Sequence, residues 1–380
     1  MKVVFVHDHK FRRINGQIYS PGGLSNEVLS RYVHFFDMVT VIGRIIDEKQ
    51  TKSNYSLISN PCVNIATKEE LQNSIQAADA VIVRLPSING YKAVHFAKKY
   101  KRPYLTEVVG CTFDAYWNYG VKGKLFAVPA FLLMRYCVSK SSHVVYVTKQ
   151  FLEKRYPTKG KYVAISDVEL KELNSEVLNK RLIKIKEKKD KLVLGTTASV
   201  DVPYKGHEFV IRAIPQIEKI CGKQVEYQMA GAGDRSRLMR IAESVGVTDK
   251  IIFKGSIPHE QVFDWLDNLD IYIQPSMLEG LSRALVEAMS RGLPCIATEK
   301  GGNPELVEKK CLVSIANRKN ISRLIAGKID YLLKANHMSE IAERNYSISK
   351  EYDKDFLDKI RFNFYSEFRI YTENEKMKDV

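Results

Sequence analysis

The sequence lacks the markers of metal-binding, disulfide-rich and membrane-spanning proteins. Its six cysteines are scattered and include no CxxC pair, which fits reduced, mostly buried thiols and gives no metal signature. The longest apolar run, LFAVPAFLLM at 125–134, is too short to span a bilayer. The N-terminal MKVVFVHDHKFRR has too short an apolar run for a signal peptide and is typical of a first β-strand. We therefore expect a cytoplasmic chain without a metal site or a membrane span.

Acidic residues are scarce in the first part of the chain. Residues 1–165 contain 24 Lys and Arg against 11 Asp and Glu, whereas residues 166–380 contain 35 against 33. Nearly all of the net charge of +15 therefore lies in the first part, which predicts an anionic partner there. The candidates are an acidic membrane surface, a pyrophosphate-linked lipid and a nucleic acid. Nucleic acid is disfavoured because no binding motif accompanies the charge.

Basic residues surround the longest apolar run. Lys122 and Lys124 precede it, and Arg135 and Lys140 follow it. Residues 122–140 therefore fit a basic amphipathic segment that lies on an anionic membrane, which would make the protein peripheral on the inner face of the cell membrane. The same pattern also fits an amphipathic core helix with solvated lysines, which is the more common case.

Neither half contains the GxGxxG fingerprint of dinucleotide-binding enzymes, which disfavours a dehydrogenase. Glycines nevertheless stand at suggestive places. Gly22 and Gly23 precede the first predicted helix, and Gly231 and Gly233 follow a predicted strand of the second half. Ligands in open α/β sheets bind beyond the carboxyl ends of the strands, where glycine permits close backbone approach. The sequence therefore predicts ligand-binding loops in both halves.

Short β-rich runs alternate with helical stretches along most of the chain. The alternation predicts parallel sheets, and 380 residues exceed the usual size of a single core. We expect an α/β protein with two doubly wound Rossmann-like domains, at 1–166 and 191–345, that face a central cleft. The polar stretch 167–190 is expected to connect them. Residues 346–380 are expected to form a helical tail that packs back on the N-terminal domain.

One stretch, SMLEGLSRALVEAMSRGLPCIATEKGG at 276–302, combines two glutamates with a predicted helix. Glu279 lies in a turn before Gly280, and Glu287 lies within the helix. The N-terminus of a helix suits a diphosphate, whereas carboxylates accept hydrogen bonds from hydroxyls. The stretch therefore fits a ligand with phosphate in its middle and polyols at both ends. The bland alternative is a surface ion pair between Arg283 and Glu287.

The second half resembles the retaining glycosyltransferases of the GT-B fold, glycosyltransferase family 4 in particular. The resemblance covers most of residues 191–310 in the family's order, whereas the first half matches only in outline. The stretches that carry it are YKGHEFVIRAI (204–214), MAGAGDRSRLM (229–239), IIFKGSIPHEQV (251–262), DIYIQPSMLEGL (270–281), EAMSRGLPCIAT (287–298) and GGNPELV (301–307).

The resemblance implies a donor site for a nucleoside-diphosphate sugar, with UDP favoured over GDP. Lys205 and Glu279 would act at the reacting centre: the lysine would neutralise the diphosphate, and the glutamate would hold hydroxyls of the transferred sugar. Glu287 would hold the ribose hydroxyls. The nucleobase would lie near Gly255 and Ile257. Further contacts with the sugar donor are expected from Gly22, Gly23, Gly231, Gly233, Arg283, Gly280, Leu281 and Ser282.

The chain departs from the family pattern in two places. GTTASVDVPYKG at 195–206 has no arginine before the lysine, where the family has a second diphosphate cation. Arg283 would either replace it or pair with Glu287, and the ion pair is favoured. The loop in which the family often has a histidine contains Asp114 instead, which would contact sugar or acceptor or, as is favoured, cap a helix. Nearby, Trp117 would stack on an acceptor sugar or simply pack.

The function implied is retaining transfer of a hexose or N-acetylhexosamine to a glycan or a lipid-pyrophosphate-linked acceptor in surface polysaccharide biosynthesis. The diphosphate would be neutralised by protein groups, so we expect neither a metal nor a cofactor. A nucleotide-sugar epimerase of the same fold is one alternative, which the charge asymmetry disfavours because an epimerase needs no acceptor. A non-catalytic nucleotide-sugar-binding subunit is another, which the missing arginine favours.

Overall fold

The computed structural model describes residues 1–52, 55–117, 120–170 and 173–378. The chain divides into two compact units. The first comprises residues 1–165 together with the C-terminal segment from Asp358, and the second is Ser166–Leu357. The connector expected at 167–190 belongs to the second unit, and its residues 171 and 172 lie outside the described residues.

A mixed sheet forms the centre of the first unit. Five parallel neighbours follow the order β3-β1-β6-β7-β8, β5 and β9 lie beside β3 and β8 respectively, and the antiparallel strands β2 and β4 extend from β1. The turn between the first two strands is Asn15-Gly16, with both residues at positive φ, which suits a tight hairpin. The strands are β1 (Lys2–Ile14), β2 (Gln17–Pro21), β3 (Met38–Asp47), β4 (Tyr55–Leu57), β5 (Val63–Ala66), β6 (Ala80–Leu85), β7 (Tyr104–Val108), β8 (His143–Tyr146) and β9 (Lys161–Ala164).

Helices alternate with these strands, as the parallel pairing requires. Their apolar sides and the buried strand residues form one hydrophobic core. The helices are α1 (Asn26–Val33), α2 (Leu71–Ala77), α3 (Ile88–Lys99), α4 (Thr112–Trp117), α5 (Gly120–Ser139) and α6 (Phe151–Arg155).

The second unit contains an all-parallel sheet in the order β12-β11-β10-β13-β14-β15. The strand order reverses between β10 and β13, and ligands of doubly wound sheets bind beyond the carboxyl ends at such a point. The strands are β10 (Lys191–Thr197), β11 (Gln224–Ala230), β12 (Ile251–Gly255), β13 (Ile271–Gln274), β14 (Cys295–Thr298) and β15 (Leu312–Val313).

Helices also alternate with the strands of the second sheet and pack with it into a second hydrophobic core. Within the expected connector, the first of these helices carries the buried Arg181, whose guanidinium donates to the carbonyls of Leu266 and Leu269. The helices are α7 (Ser175–Lys186), α8 (His207–Cys221), α9 (Ser236–Ser244), α10 (His259–Asn268), α11 (Arg283–Ser290), α12 (Asn303–Leu306), α13 (Ile321–Leu333), α14 (His337–Ser349) and α15 (Lys354–Lys378).

The C-terminal part of α15 contributes to the core of the first unit. The Tyr365 hydroxyl donates to Glu107 at the end of β7, at 2.5 Å. The ring of Phe368 lies against those of Phe36 and His143. Two Rossmann-like α/β units with a helical C-terminal tail confirm the fold class predicted from the sequence. In the described part of the chain, no helix has the length and apolarity needed to cross a bilayer.

Candidate active site

The loops after β10 and β13 bring a cation and a carboxylate together. Lys205 ends a short turn that precedes α8, and Glu279 follows β13. The Lys205 Nζ donates to Glu279 Oε1 at 2.9 Å, and both side chains are largely buried, at 25% and 11% exposure. The two residues predicted to act at the reacting centre are therefore in direct contact. Adjacent β10 and β13 place them there, because these strands end at the same edge of the sheet.

The turn that carries Lys205 is fixed against the loop that leaves β13. Met277 donates its backbone N–H to the carbonyl of Tyr204 at 2.7 Å. At Gly206 a Cβ atom would lie 2.0 Å from the carbonyl oxygen of Pro275, so only glycine permits this approach. The backbone on both sides of the lysine is therefore held in place relative to the glutamate.

A second glycine turn supports Glu279 from the other side. Gly301 follows β14 at a φ of 59°, and a Cβ atom there would lie 2.1 Å from the carbonyl oxygen of Glu279. The next residue, Gly302, donates its N–H to the carbonyl of Gly280 at 2.6 Å. The glycine pair therefore allows the loop after β14 to pack directly on the Glu279–Gly280 turn. It stands in the stretch GGNPELV, but the sequence analysis gave it no role.

A buried side-chain network fixes the Glu279 carboxylate. Gln274, the last residue of β13, donates Nε2 to Glu279 Oε1 at 3.0 Å and to Ser276 Oγ at 2.8 Å. Its own Oε1 accepts from the Tyr272 hydroxyl at 2.8 Å. Sequence reasoning did not single out Gln274 or Tyr272, because a polar residue at a strand end has no signature of its own.

The start of α11 offers backbone donors beside the carboxylate. Ser282 caps the helix, and its Oγ accepts from the N–H of Leu285 at 3.4 Å. Among the described residues, the N–H groups of Gly280, Leu281 and Ser282 have no hydrogen-bond acceptor. Such unpaired donors at a helix N-terminus favour an anion. The family resemblance named the same three residues as contacts of the sugar donor.

Glu287 lies on α11, and its side chain is buried. Burial raises the pKa of the carboxyl above its ordinary value, while the charges of His259 and Arg283 oppose that rise. His259, the first residue of α10, places Nε2 at 3.3 Å from Glu287 Oε1. Sequence analysis overlooked this histidine, although it stands in the quoted stretch IIFKGSIPHEQV.

The expected ion pair between Arg283 and Glu287 is not found among the described residues. Arg283 Nη2 instead donates to the backbone carbonyl of Asp167 at 3.3 Å. Helical spacing alone contributes only a few tenths of a kcal/mol to such a pair, so the backbone carbonyl of Asp167 can compete with the buried Glu287 for the guanidinium. The prediction of the pair was wrong, and His259 takes the place beside the carboxylate.

The other residues of the second unit that were predicted to bind the sugar donor lie at the ends of β11 and β12. Gly231 donates its N–H to the carbonyl of Gly255 at 2.8 Å. A Cβ atom at Gly233 would meet the side chain of Asp201 at 2.4 Å. Ile257 follows β12 and is half-buried against the core. The carboxyl edge of the sheet therefore holds all of them, as well as Lys205.

The sequence also predicted site residues in the first unit. Gly22, at a φ of 111°, and Gly23 precede α1, and a Cβ atom on either would meet nothing within 4 Å. Asp114 is buried in the first turn of α4, and Arg155 lies 3.4 Å from its carboxylate. Trp117 is 46% exposed and stacks on Phe113 with ring centroids 5.2 Å apart. Within the described residues, no three His, Cys, Asp or Glu side chains are grouped as a metal site.

Comparison with known proteins assigns the family. The model of the glycosyl transferases group 1 matches residues 179–348, which include Lys205, Glu279 and Glu287. Protein CapJ of Staphylococcus aureus is 33% identical over 368 residues, a match that covers 92% of this chain and 91% of CapJ. The chain belongs to the group 1 glycosyltransferases. The resemblance stated from the sequence is thereby confirmed, whereas membership of family 4 in particular stays a prediction.

Two further comparisons show a partial likeness in sequence and a likeness in fold. The amylovoran biosynthesis glycosyltransferase AmsK of Erwinia amylovora is 36% identical over 100 residues, or 24% of this group 1 chain and 25% of AmsK. The crystal structure of HepE of Anabaena in complex with UDP superposes with a TM-score of 0.67. It covers 96% of this chain and 99% of HepE at 16% identity, a likeness of fold.

Proposed function

We propose that this group 1 glycosyltransferase is a retaining enzyme that takes a hexose or an N-acetylhexosamine from a nucleoside-diphosphate sugar. One observation carries the proposal. Lys205 and Glu279 are in contact at 2.9 Å, next to the unpaired N–H groups at the start of α11. A cation and backbone donors suit the diphosphate, and a carboxylate suits the hydroxyls of the sugar.

The lysine–glutamate contact gives the donor a defined way to bind. An ammonium group that pairs with one carboxylate can exchange that partner for a diphosphate, which carries more charge. Glu279 would then release Lys205 and remain held by Gln274, free to accept hydrogen bonds from sugar hydroxyls. The pair would thus neutralise both charges whenever no sugar donor is bound.

Glu287 is the candidate for the ribose. Its burial disfavours the charged carboxylate, so hydroxyl donors from a bound ribose would stabilise the charged form. Its place on α11, eight positions after Glu279, supports a second site for hydroxyl groups. UDP is the favoured nucleotide, and the complex of HepE with UDP supports this choice.

We propose that the transfer proceeds without a protein nucleophile. The bond between C1 of the sugar and the diphosphate oxygen breaks, and the acceptor oxygen bonds to C1 from the same face. The acceptor's proton passes to the leaving diphosphate oxygen, so no protein base is needed. Lys205 and the N–H groups of Gly280 to Ser282 stabilise the charge that develops on the leaving group. We expect no requirement for a divalent metal.

The acceptor is proposed to be a glycan or a lipid-linked glycan in the assembly of a surface polysaccharide. The name of AmsK places that relative in amylovoran biosynthesis. The excess of 24 basic over 11 acidic residues in 1–165 favours an acceptor that carries phosphate. An acceptor linked to a membrane lipid through pyrophosphate combines a glycan with the negative charge of phosphate.

A second candidate is a non-catalytic nucleotide-sugar-binding subunit. One observation favours it: residues 195–206 contain no arginine, and Arg283, which would have to replace it, donates to the Asp167 carbonyl. A site with one cation instead of two would still bind the diphosphate, but it would stabilise the charge on the leaving group less well during transfer.

A panel of UDP- and GDP-sugars tests the proposal. Thermal shift and nucleoside diphosphate release are measured for the wild type, for Glu287→Ala, and for Glu243→Ala, an exposed control on α9. The proposal expects one donor to stabilise the wild type and to be turned over slowly, with both effects lost in Glu287→Ala and retained in the control. An acceptor product with inverted anomeric configuration would refute the retaining course.

The same panel separates the two candidates. Stabilisation by a donor without diphosphate release, even with membrane lipid added as a source of acceptor, would favour the binding subunit. If no donor stabilises the wild type, both candidates fail.

A further inference from the structure

Helix α5 exposes an unusual amount of apolar surface. The side that packs on the core carries mainly small and medium residues, such as Ala127 and Met134. The opposite side is solvent-exposed, although it is apolar. Its exposed large apolar residues are Val121 (80%), Leu125 (73%), Phe126 (62%), Leu132 (57%), Val128 (52%), Tyr136 (49%) and Leu133 (45%). Single exposed apolar residues are ordinary, but a continuous group of this kind indicates an interaction surface.

Basic residues surround this apolar surface, and acidic residues are absent from the same segments of sequence. Residues 80–106, which contain α3, and residues 115–152, which contain α5, include no Asp or Glu. The two helices are joined at the surface, where Lys98 Nζ donates to the Tyr136 hydroxyl at 2.5 Å and lies 4.8 Å from the centre of that ring. The exposed basic residues of these helices are Lys92, Lys98, Lys99, Lys122, Lys124 and Arg135.

A cavity of about 410 Å³ lies between the two helices. His95, Lys98 and Lys99 of α3 line one side of it, and Leu133, Tyr136 and Cys137 of α5 line the other. One wall therefore supplies positive charge and hydrogen-bond donors, and the other supplies apolar contact. The exposed residues of α3 and α5 together with this cavity are named here the α3–α5 face.

We propose that the α3–α5 face docks on an anionic lipid bilayer. An amphipathic helix lies in the plane of the membrane interface when its apolar residues reach the acyl boundary and its lysines contact anionic headgroups. Leu125, Phe126 and Leu132 supply the apolar contact, and Lys122 and Lys124 flank them. A headgroup phosphate fits the cavity beside Lys98 and Lys99.

Charge complementarity favours a bilayer over a second copy of this chain. A two-fold interface pairs a surface with itself. It would place the basic residues of one α3–α5 face against those of the other, and neither helix carries an acidic residue to compensate. Like charges placed opposite each other disfavour association. An anionic bilayer satisfies the apolar residues and the charge at once.

Membrane docking is independent of the transfer chemistry, although a lipid-linked acceptor, which rests on the proposed function, would explain its use. Docking would hold the first unit at the surface from which such an acceptor is drawn. The test below measures lipid binding without any donor, so its failure would leave the proposed function standing.

Flotation of the full chain with vesicles tests the proposal. Phosphatidylcholine vesicles are compared with vesicles that also contain phosphatidylglycerol. We expect the protein to float only with the anionic vesicles, and to be released progressively as salt is raised from below 0.1 M, because salt screens the headgroup charges. Sedimentation of the wild type with both kinds of vesicle would overturn the proposal.

Two sets of substitutions test the basic residues and the apolar residues of the α3–α5 face separately. The charge variant carries Lys99→Gln, Lys122→Gln and Lys124→Gln, and its partition to anionic vesicles should fall on the order of 100-fold. A matched control carries Lys188→Gln, Lys219→Gln and Lys309→Gln, three exposed lysines of the second unit, and should bind as the wild type does. Equal losses in the two triple variants would show non-specific attraction and overturn the proposal.

The apolar variant carries Leu125→Ser, Phe126→Ser and Leu132→Ser, with Ile183→Ser, 65% exposed on α7, as its control. The substituted side chains are exposed, so the variant should keep its circular dichroism and melting temperature. Its partition should fall about 10-fold or more. Wild-type partition in this variant would contradict docking through α5. Light scattering that shows a wild-type dimer, dissociated by these substitutions, would replace the bilayer with a second copy.

Discussion

Lys205 and Glu279 are 74 positions apart in the chain, yet Nζ of the lysine donates to Oε1 of the glutamate at 2.9 Å. Gln274 donates to the same oxygen, and glycine turns hold the backbone on either side. The contact brings together, at the switch point of the second sheet, the two charges that we propose bind a nucleoside-diphosphate sugar. It links the family assignment to a specific mode of donor binding.

Substitution of Glu279 should separate binding from transfer. Glu279→Gln keeps the shape of the side chain but weakens its hydrogen bonds to sugar hydroxyls, and it frees Lys205 from its partner. We expect kcat/KM to fall about 100-fold, while affinity for the nucleoside diphosphate is kept or increased. Steady-state kinetics and calorimetry measure the two quantities, with Glu243→Gln as control. A parallel loss of both would contradict the assigned role.

Gln274 should act as a positioning residue. Gln274→Leu removes the donor to Glu279 and leaves the buried Tyr272 hydroxyl without its acceptor, so stability should fall by about 1–3 kcal/mol. We expect kcat to fall about 10-fold because the carboxylate loses its orientation, with unchanged affinity for the nucleoside diphosphate. Unchanged kcat in the folded variant would restrict Gln274 to a structural role.

The glycine pair after β14 allows a prediction with an internal control. Gly301→Ala places a Cβ atom 2.1 Å from the Glu279 carbonyl at a positive φ, so we expect a loss of about 1–3 kcal/mol and lower activity. Gly327→Ala lies within α13, where a Cβ atom meets nothing within 4 Å, and should stabilise by about 0.5–1 kcal/mol. Denaturant unfolding gives both values. Equal effects of the two substitutions would rule out the close packing.

The buried carboxyl of Glu287 should make the stability of the folded protein depend on pH. Burial raises its pKa in the folded state above the ordinary value of 4.5, so the folded protein binds the proton more tightly than the unfolded chain does. The carboxyl therefore lowers stability as pH rises from about 4.5 through the raised pKa. Glu287→Gln should melt above the wild type at neutral pH, and the difference should shrink on acidification. His259 and Arg283 face this carboxyl and moderate the effect.

The melting temperatures of both proteins between pH 4 and pH 8 provide the measurement. The same substitution should weaken nucleotide binding, since the neutral amide is a poorer acceptor for ribose hydroxyls. A variant that is less stable than the wild type at neutral pH would contradict the cause assigned to the pKa shift.

Much of the second unit could be predicted from local pattern. Alternating apolar strands and helices specified the parallel sheet, and the chemistry of Glu279 and Glu287 identified them as candidates. Lys205 was identified only through the resemblance to the glycosyltransferase family. Local pattern could not show that Lys205 contacts Glu279, because that contact depends on β10 lying next to β13. The Gln274 network was missed for the same reason.

The errors arose where a short-range rule met a competing long-range partner. The spacing of Arg283 and Glu287 suits a helical ion pair, but the Asp167 carbonyl accepts from the arginine and His259 lies beside the glutamate. In the first unit, the first strand expected from the short N-terminal apolar run continues to Ile14, and the chain turns through Asn15-Gly16 into β2. That dipeptide is a strong hairpin signal, and it was not used.

The binding of a nucleoside diphosphate to Lys205→Gln, measured by calorimetry, tests the central claim most directly. The control is Lys188→Gln, an exposed lysine that precedes β10, whereas Lys205 follows that strand. If Lys205 exchanges Glu279 for the diphosphate, its substitution should weaken binding about 10- to 100-fold while the control binds as the wild type does. Equal affinity in the wild type and in Lys205→Gln would contradict the proposed donor site.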